Sequence, residues 1–116
     1  MENTDFENKI KPFFWTDHET SASVCLTVGE YKTEIFETRA DEGFEGGGYD
    51  WASLARVFLE EKQPEWTEVI RFDPEGSMYC AYSSDKEALK EFSLKFKEAC
   101  ENEKLIQDLF SRAELD

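Results

Sequence analysis

The residues whose types and spacing come closest to a ligand site are 43–51, Gly43-Phe44-Glu45-Gly46-Gly47-Gly48-Tyr49-Asp50-Trp51, a glycine cluster that runs into a predicted helix N-terminus. Such a junction can hold an anion, because the first N–H groups of a helix are free and lie at the positive end of its dipole. The neighbouring residues argue against phosphate. A phosphate-binding loop needs Lys and Ser or Thr after its last glycine, where this chain has Tyr49 and Asp50. A dinucleotide fingerprint needs a third glycine where Trp51 stands. Asp41, Glu42, Glu45 and Asp50 would repel phosphate in any case. The structural alternative is that the glycines, Gly46 and Gly48 among them, permit positive φ angles in a tight loop, Asp50 caps the helix and Trp51 packs beneath.

The other reactive residues form no recognisable constellation. His18 lies between Asp17 and Glu19, but no Ser or Cys stands near it in a nucleophile motif, so an exposed loop histidine is the simpler account. Cys25, Cys80 and Cys100 are odd in number, far apart and set in apolar patterns. A structural zinc site wants four ligands in paired spacings, so the three read as reduced, buried thiols of a cytosolic protein. Residues 41–46 only loosely suggest a calcium loop. No catalytic residue, metal or cofactor is expected, and the chain does not read as an enzyme.

Charge is the stronger signal. The 116 residues carry 27 acidic against 13 basic side chains, a net charge of −14. Nucleic acids and anionic membranes are poor partners for such a chain, since phosphate binding depends on Lys and Arg releasing counterions. The excess is uneven: residues 30–75 hold 13 acids and 5 bases, or −8, and each flank holds −3. Glu34, Glu37, Asp41, Glu42, Glu45, Glu61 and Glu65, set around the aromatic residues Phe44, Tyr49 and Trp66, would give a docking surface both electrostatic steering and anchors. Solubility alone is the competing explanation.

The elements that must position these residues follow from hydropathy. An aromatic content of 15% is too high for a disordered acidic tail, so a core is expected. Phe13, Phe14 and Trp15 suggest a first strand. Val24, Leu26 and Val28, then Tyr31, Thr33 and Ile35, alternate as a hairpin. Trp51, Leu54, Ala55, Phe58 and Leu59 make a helical stripe that ends before Pro64. Val69, Ile70 and Phe72, the turn at 73–76 and residues 78–82 make a second hairpin. Ser84 and Glu87 have capping-box spacing ahead of the stripe Leu89, Phe92, Phe96 and Cys100. A change of phase near Asn102 starts a further short helix or a bend, with Leu105, Ile106, Leu109 and Phe110. The expectation is one α+β domain over 1–116, an antiparallel sheet of two hairpins against two to three helices, with residues 1–8 flexible. The sequence shows no secretory signal and no apolar run near the roughly 20 residues of a membrane span.

Residues 46–51 with Ser53-Leu54-Ala55-Arg56, Phe72-Asp73-Pro74-Glu75, Cys80-Ala81-Tyr82-Ser83 and Ala88-Leu89-Lys90-Glu91-Phe92 resemble the immunity protein 51 family of bacterial polymorphic toxin systems, over roughly residues 20–113. The resemblance implies a small cytosolic α+β protein that binds and blocks a cognate toxin domain, with no catalytic residue and no cofactor. Combined with the charge, it points to a basic toxin partner, for instance a nuclease. An acidic scaffold or mimic binding some other basic protein, and a small-ligand module on the glycine loop, remain as alternatives.

Overall fold

Alternation of apolar and polar residues builds the sheet. In Ala22–Thr27 (β2), Ala22, Val24 and Leu26 are buried on one face, while Ser23, Cys25 and Thr27 point to the other. Met78–Ser83 (β4) buries Tyr79, Ala81 and Ser83 on that same inner face. The two strands pair antiparallel down the middle, with Leu26 opposite Tyr79 and Cys25 opposite Cys80. Phe14–Asp17 (β1) pairs with the free side of β2, and Arg71–Phe72 (β3) with the free side of β4, in the order β1-β2-β4-β3. This is a computed structural model, and it describes residues 2–114.

Helices cover the inner face. Gly48–Lys62 (α3) and Lys86–Glu101 (α4) lie on the sheet, and Glu103–Phe110 (α5) packs against both. Glu2–Ile10 (α1) lies along α4 and β1, with Phe6 and Ile10 in the core. The core is aromatic: Trp51 is 1% exposed and meets Phe13, Tyr31, Phe36, Tyr79 and Phe96 at ring-centroid distances of 5.2–6.3 Å. Edge-to-face and offset contacts of this kind add to the free energy of burial itself.

The sheet is two hairpins, but the first is β1–β2 and not the pairing of residues 24–28 with 31–36. β2 already has a neighbour on each side, which leaves no edge for a strand at 31–36. Gly29 (φ 107°) and Lys32 (φ 53°) turn the chain off the sheet into the helix Thr33–Glu37 (α2). Ile35 and Phe36 are both buried, as neighbouring positions on a helix allow and an alternating strand does not. Among the described residues the α-helices number five, α1 and α2 adding to the two to three expected. The change of phase at Asn102 marks a true boundary: its side chain accepts from Leu105 N–H at 3.2 Å and starts α5. The α4 cap is Asp85, which accepts from Ala88 N–H at 3.0 Å while Ser83 Oγ accepts from Asp85 N–H, so the expected Ser84–Glu87 capping box is displaced by one residue.

Candidate functional site

The glycine cluster is a packing device. Glycine is required at position 48: a Cβ there would lie 1.9 Å from the Glu75 carbonyl oxygen and 2.2 Å from that of Met78. Gly48 N–H donates to Gly76 O at 3.2 Å, so the first turn of α3 sits directly on the β3–β4 turn. Gly46, at φ 81°, lies over Phe36. Asp50 is not the N-cap. Gly47 holds that position, and the Asp50 carboxylate reaches back from the first turn to accept from Glu45 N–H at 2.7 Å and Gly46 N–H at 2.9 Å. Those donors, together with Gly48 N–H, are thus already engaged, and an anion arriving at the loop would meet a carboxylate. The loop is not arranged for a phosphate.

The expected partner-facing residues divide by burial. Glu34, Glu37, Asp41, Glu42, Glu45, Glu61 and Glu65 are exposed, Tyr49 is 49% exposed and Trp66 is half-buried. Phe44 is a correction. It is 2% exposed, with its ring 4.9 Å from that of Phe110 and covered by the Arg39 guanidinium at 4.5 Å. A phenyl group with a core site to fill gains more free energy inside than at the rim of a surface.

Two arginines draw the acidic residues together. Arg39 donates to the main-chain carbonyls of Phe110 and Ala113, the latter at 2.8 Å, and makes a forked pair with Glu42 at 2.7 and 3.0 Å. Arg112 makes forked contacts with Glu61 at 2.6 and 2.7 Å and with Asp108 at 2.8 and 3.1 Å. The continuous path Glu42–Arg39–residues 110–113–Arg112–Glu61 therefore joins Glu42 and Glu61 through the C-terminal end of α5. The arginine hydrogen bonds hold Glu42, Glu61 and Asp108 below the usual carboxylate range. Tyr49 stands in the first turn of the 15-residue α3, about 22 Å long, and Trp66 in the short turn Pro64–Trp66 beyond its far end.

One acid outside the expected set joins these contacts: Asp108 arrives through Arg112. The i to i+4 spacing of Asp108 and Arg112 was a readable signal, while the pairing of Arg112 with Glu61, 51 residues away, had none. His18 Nε2 lies 3.1 Å from Ser23 Oγ on an exposed loop. Among the described residues no group of three or more His, Cys, Asp or Glu side chains is placed to hold a metal ion, and no helix is long and apolar enough to cross a membrane.

No curated protein and no solved structure matches this chain. The model of a family described as Immunity protein 51 matches residues 13–115, from the residue before β1 to beyond α5. That span takes in the sheet, the glycine junction and both arginine clusters, and with nearly the whole chain matched, the protein belongs to the immunity protein 51 family.

Proposed function

We propose that this protein is a cytoplasmic, non-catalytic inhibitor that binds a cognate toxin domain one to one and covers its working surface with the acidic rim around the end of α5. Family membership supplies the class of partner. The observation that supports the mode of binding is the path from Glu42 to Glu61 through Arg39, residues 110–113 and Arg112, which ties carboxylates from distant parts of the chain together. Glu34, Glu37, Asp41, Glu42, Glu45, Glu61 and Glu65 provide the field, and Tyr49 and Trp66 the anchors. A standard interface covers about 800 Å² on each partner, a patch wide enough to take in both anchors.

The matching partner is basic. Toxin domains that act on nucleic acids need positive surfaces to hold phosphate, and an acidic protein can occupy those surfaces in the substrate's place. Long-range attraction raises the rate of capture, and salt reduces it. The test is to mix the protein with the toxin domain encoded by the neighbouring gene and follow association at two salt concentrations. A stoichiometric complex that forms more slowly at high salt is expected. Absence of a complex, or a rate indifferent to salt, overturns the reading.

A further inference from the structure

The cysteine reading needs one change, and a site follows from it. Cys100 is fully buried in the core. Cys25 and Cys80 instead share the sheet face that the helices do not cover, on the two central strands and directly opposite one another in register. Their sulfurs are 3.2 Å apart, with the Cys25 thiol donating to Cys80. Directly opposed residues on antiparallel strands have Cα atoms about 4.5–5.5 Å apart, inside the range a disulfide requires, and both side chains leave the sheet on the same side. Cys25 is buried, while Cys80 is half-buried and within reach of a small oxidant.

We propose that Cys25 and Cys80 are a peroxide-oxidisable dithiol that closes to an intramolecular disulfide across the centre of the sheet. The Cys80 thiolate attacks hydrogen peroxide, the O–O bond breaks, and Cys80 becomes a sulfenic acid as hydroxide leaves. The Cys25 sulfur then attacks the Cys80 sulfur, the S–S bond forms, the S–O bond breaks, and water departs with the Cys25 proton. Two thiols are oxidised and one peroxide is reduced to two waters. Exposure and the direction of the hydrogen bond assign the roles: the bond from Cys25 holds the Cys80 thiol below its usual range against the opposing pull of burial, Asp73 and Glu75, whereas Cys25, as donor and partly desolvated, is pushed up. The bond would tie together residues 55 positions apart, joining the β1–β2 hairpin to the β3–β4 hairpin.

The experiment treats the intact protein with stoichiometric hydrogen peroxide, then counts free thiols and measures intact mass and linked peptides. Two of the three thiols should disappear, the mass should fall by two hydrogens, and the linked peptide should join Cys25 to Cys80. The melting temperature should rise and return on reduction with dithiothreitol. Cys25→Ser should stop at a Cys80 sulfenic acid, trapped by dimedone. Oxygen addition without loss of hydrogens in the wild-type protein, linkage through Cys100, or covalent dimers in place of the internal bond would each overturn the proposal.

Discussion

The aromatic cluster around Trp51 and the acidic rim around the end of α5 draw on the same stretch of chain, residues 34–51, yet different forces govern them. In that stretch Phe36, Phe44 and Trp51 turn inward, while Glu34, Glu37, Glu45 and Tyr49 turn outward. The inward set is held by close packing, where losing a side chain leaves a void that neighbours only partly fill. The outward set makes no side-chain hydrogen bond or ion pair among the described residues, and it is this set that the proposed function turns toward a partner. Stability and recognition are therefore separable here by substitution, even between adjacent residues.

The largest break in that comparison is Trp51→Ala. It empties a site bounded by five aromatic rings and should cost about 3–5 kcal/mol, read as a lowered denaturant midpoint. If folding proves indifferent to the change, Trp51 is not the packing centre described above. Next comes Arg39→Ala, because Arg39 belongs to both regions: its guanidinium caps carbonyls of residues 110 and 113, lies over Phe44 and Phe110, and pairs with Glu42. With its side chain 20% exposed, roughly 2 kcal/mol is expected, below the sum of its bonds taken singly. Arg39→Lys should recover little, since a single ammonium cannot reach two carbonyls and a carboxylate in the same plane.

These two residues also mark how far the sequence could be read. Trp51 was legible because it heads a stripe of three and four spacing, and the same pattern gave α3, α4 and the break at Asn102. Arg39 was not, because its partners are main-chain carbonyls 71 and 74 positions away, which leave no trace in side-chain types. Residues 31–36 misled for a related reason: their alternation is real, but whether a strand forms there depends on a free sheet edge, and β1 and β4 already take both sides of β2. Phe44 was placed outside because its neighbours in sequence are Gly and Glu, although its ring was needed against Phe110. The acidic excess was legible as a composition, but the pairing of Glu61 with Arg112 was not, since it acts at long range.

A smaller effect, of opposite sign, tests how purely apolar the inward region is. Tyr79 is fully buried and its hydroxyl has no hydrogen-bond partner among the described residues. Burial pushes its ionisation well above the usual tyrosine range, so the hydroxyl stays neutral. An unsatisfied buried hydroxyl carries an unrecovered desolvation cost, and Tyr79→Phe should therefore stabilise the fold by about 1 kcal/mol, measured as a raised denaturant midpoint. A loss of stability would mean that the hydroxyl does find a partner.

The smallest expected effect on folding, and the one that most sharpens the contrast, is Glu45→Lys. The Glu45 backbone N–H bonds Asp50, which the substitution leaves in place, and the side chain is exposed, so stability should change by no more than about 0.5 kcal/mol. Capture of a basic toxin domain should slow severalfold at low salt, and the deficit should shrink as the screening length falls from about 10 Å at 0.1 M salt to 3 Å at 1 M. Acid should act on the same rim with a fixed sign. Arginine hydrogen bonds hold Glu42, Glu61 and Asp108 below the usual carboxylate range, so their contribution is complete above the unfolded-state values and fades only as pH falls through the lowered ones. The arginine-paired carboxylates should then go on supporting the fold below about pH 4, where ordinary carboxylates are half protonated, and lose that share only in stronger acid. Arg112→Gln removes the group that depresses Glu61 and Asp108 and should move the acid-unfolding midpoint to higher pH, whereas a midpoint that stays put would mean that these pairs add nothing to stability.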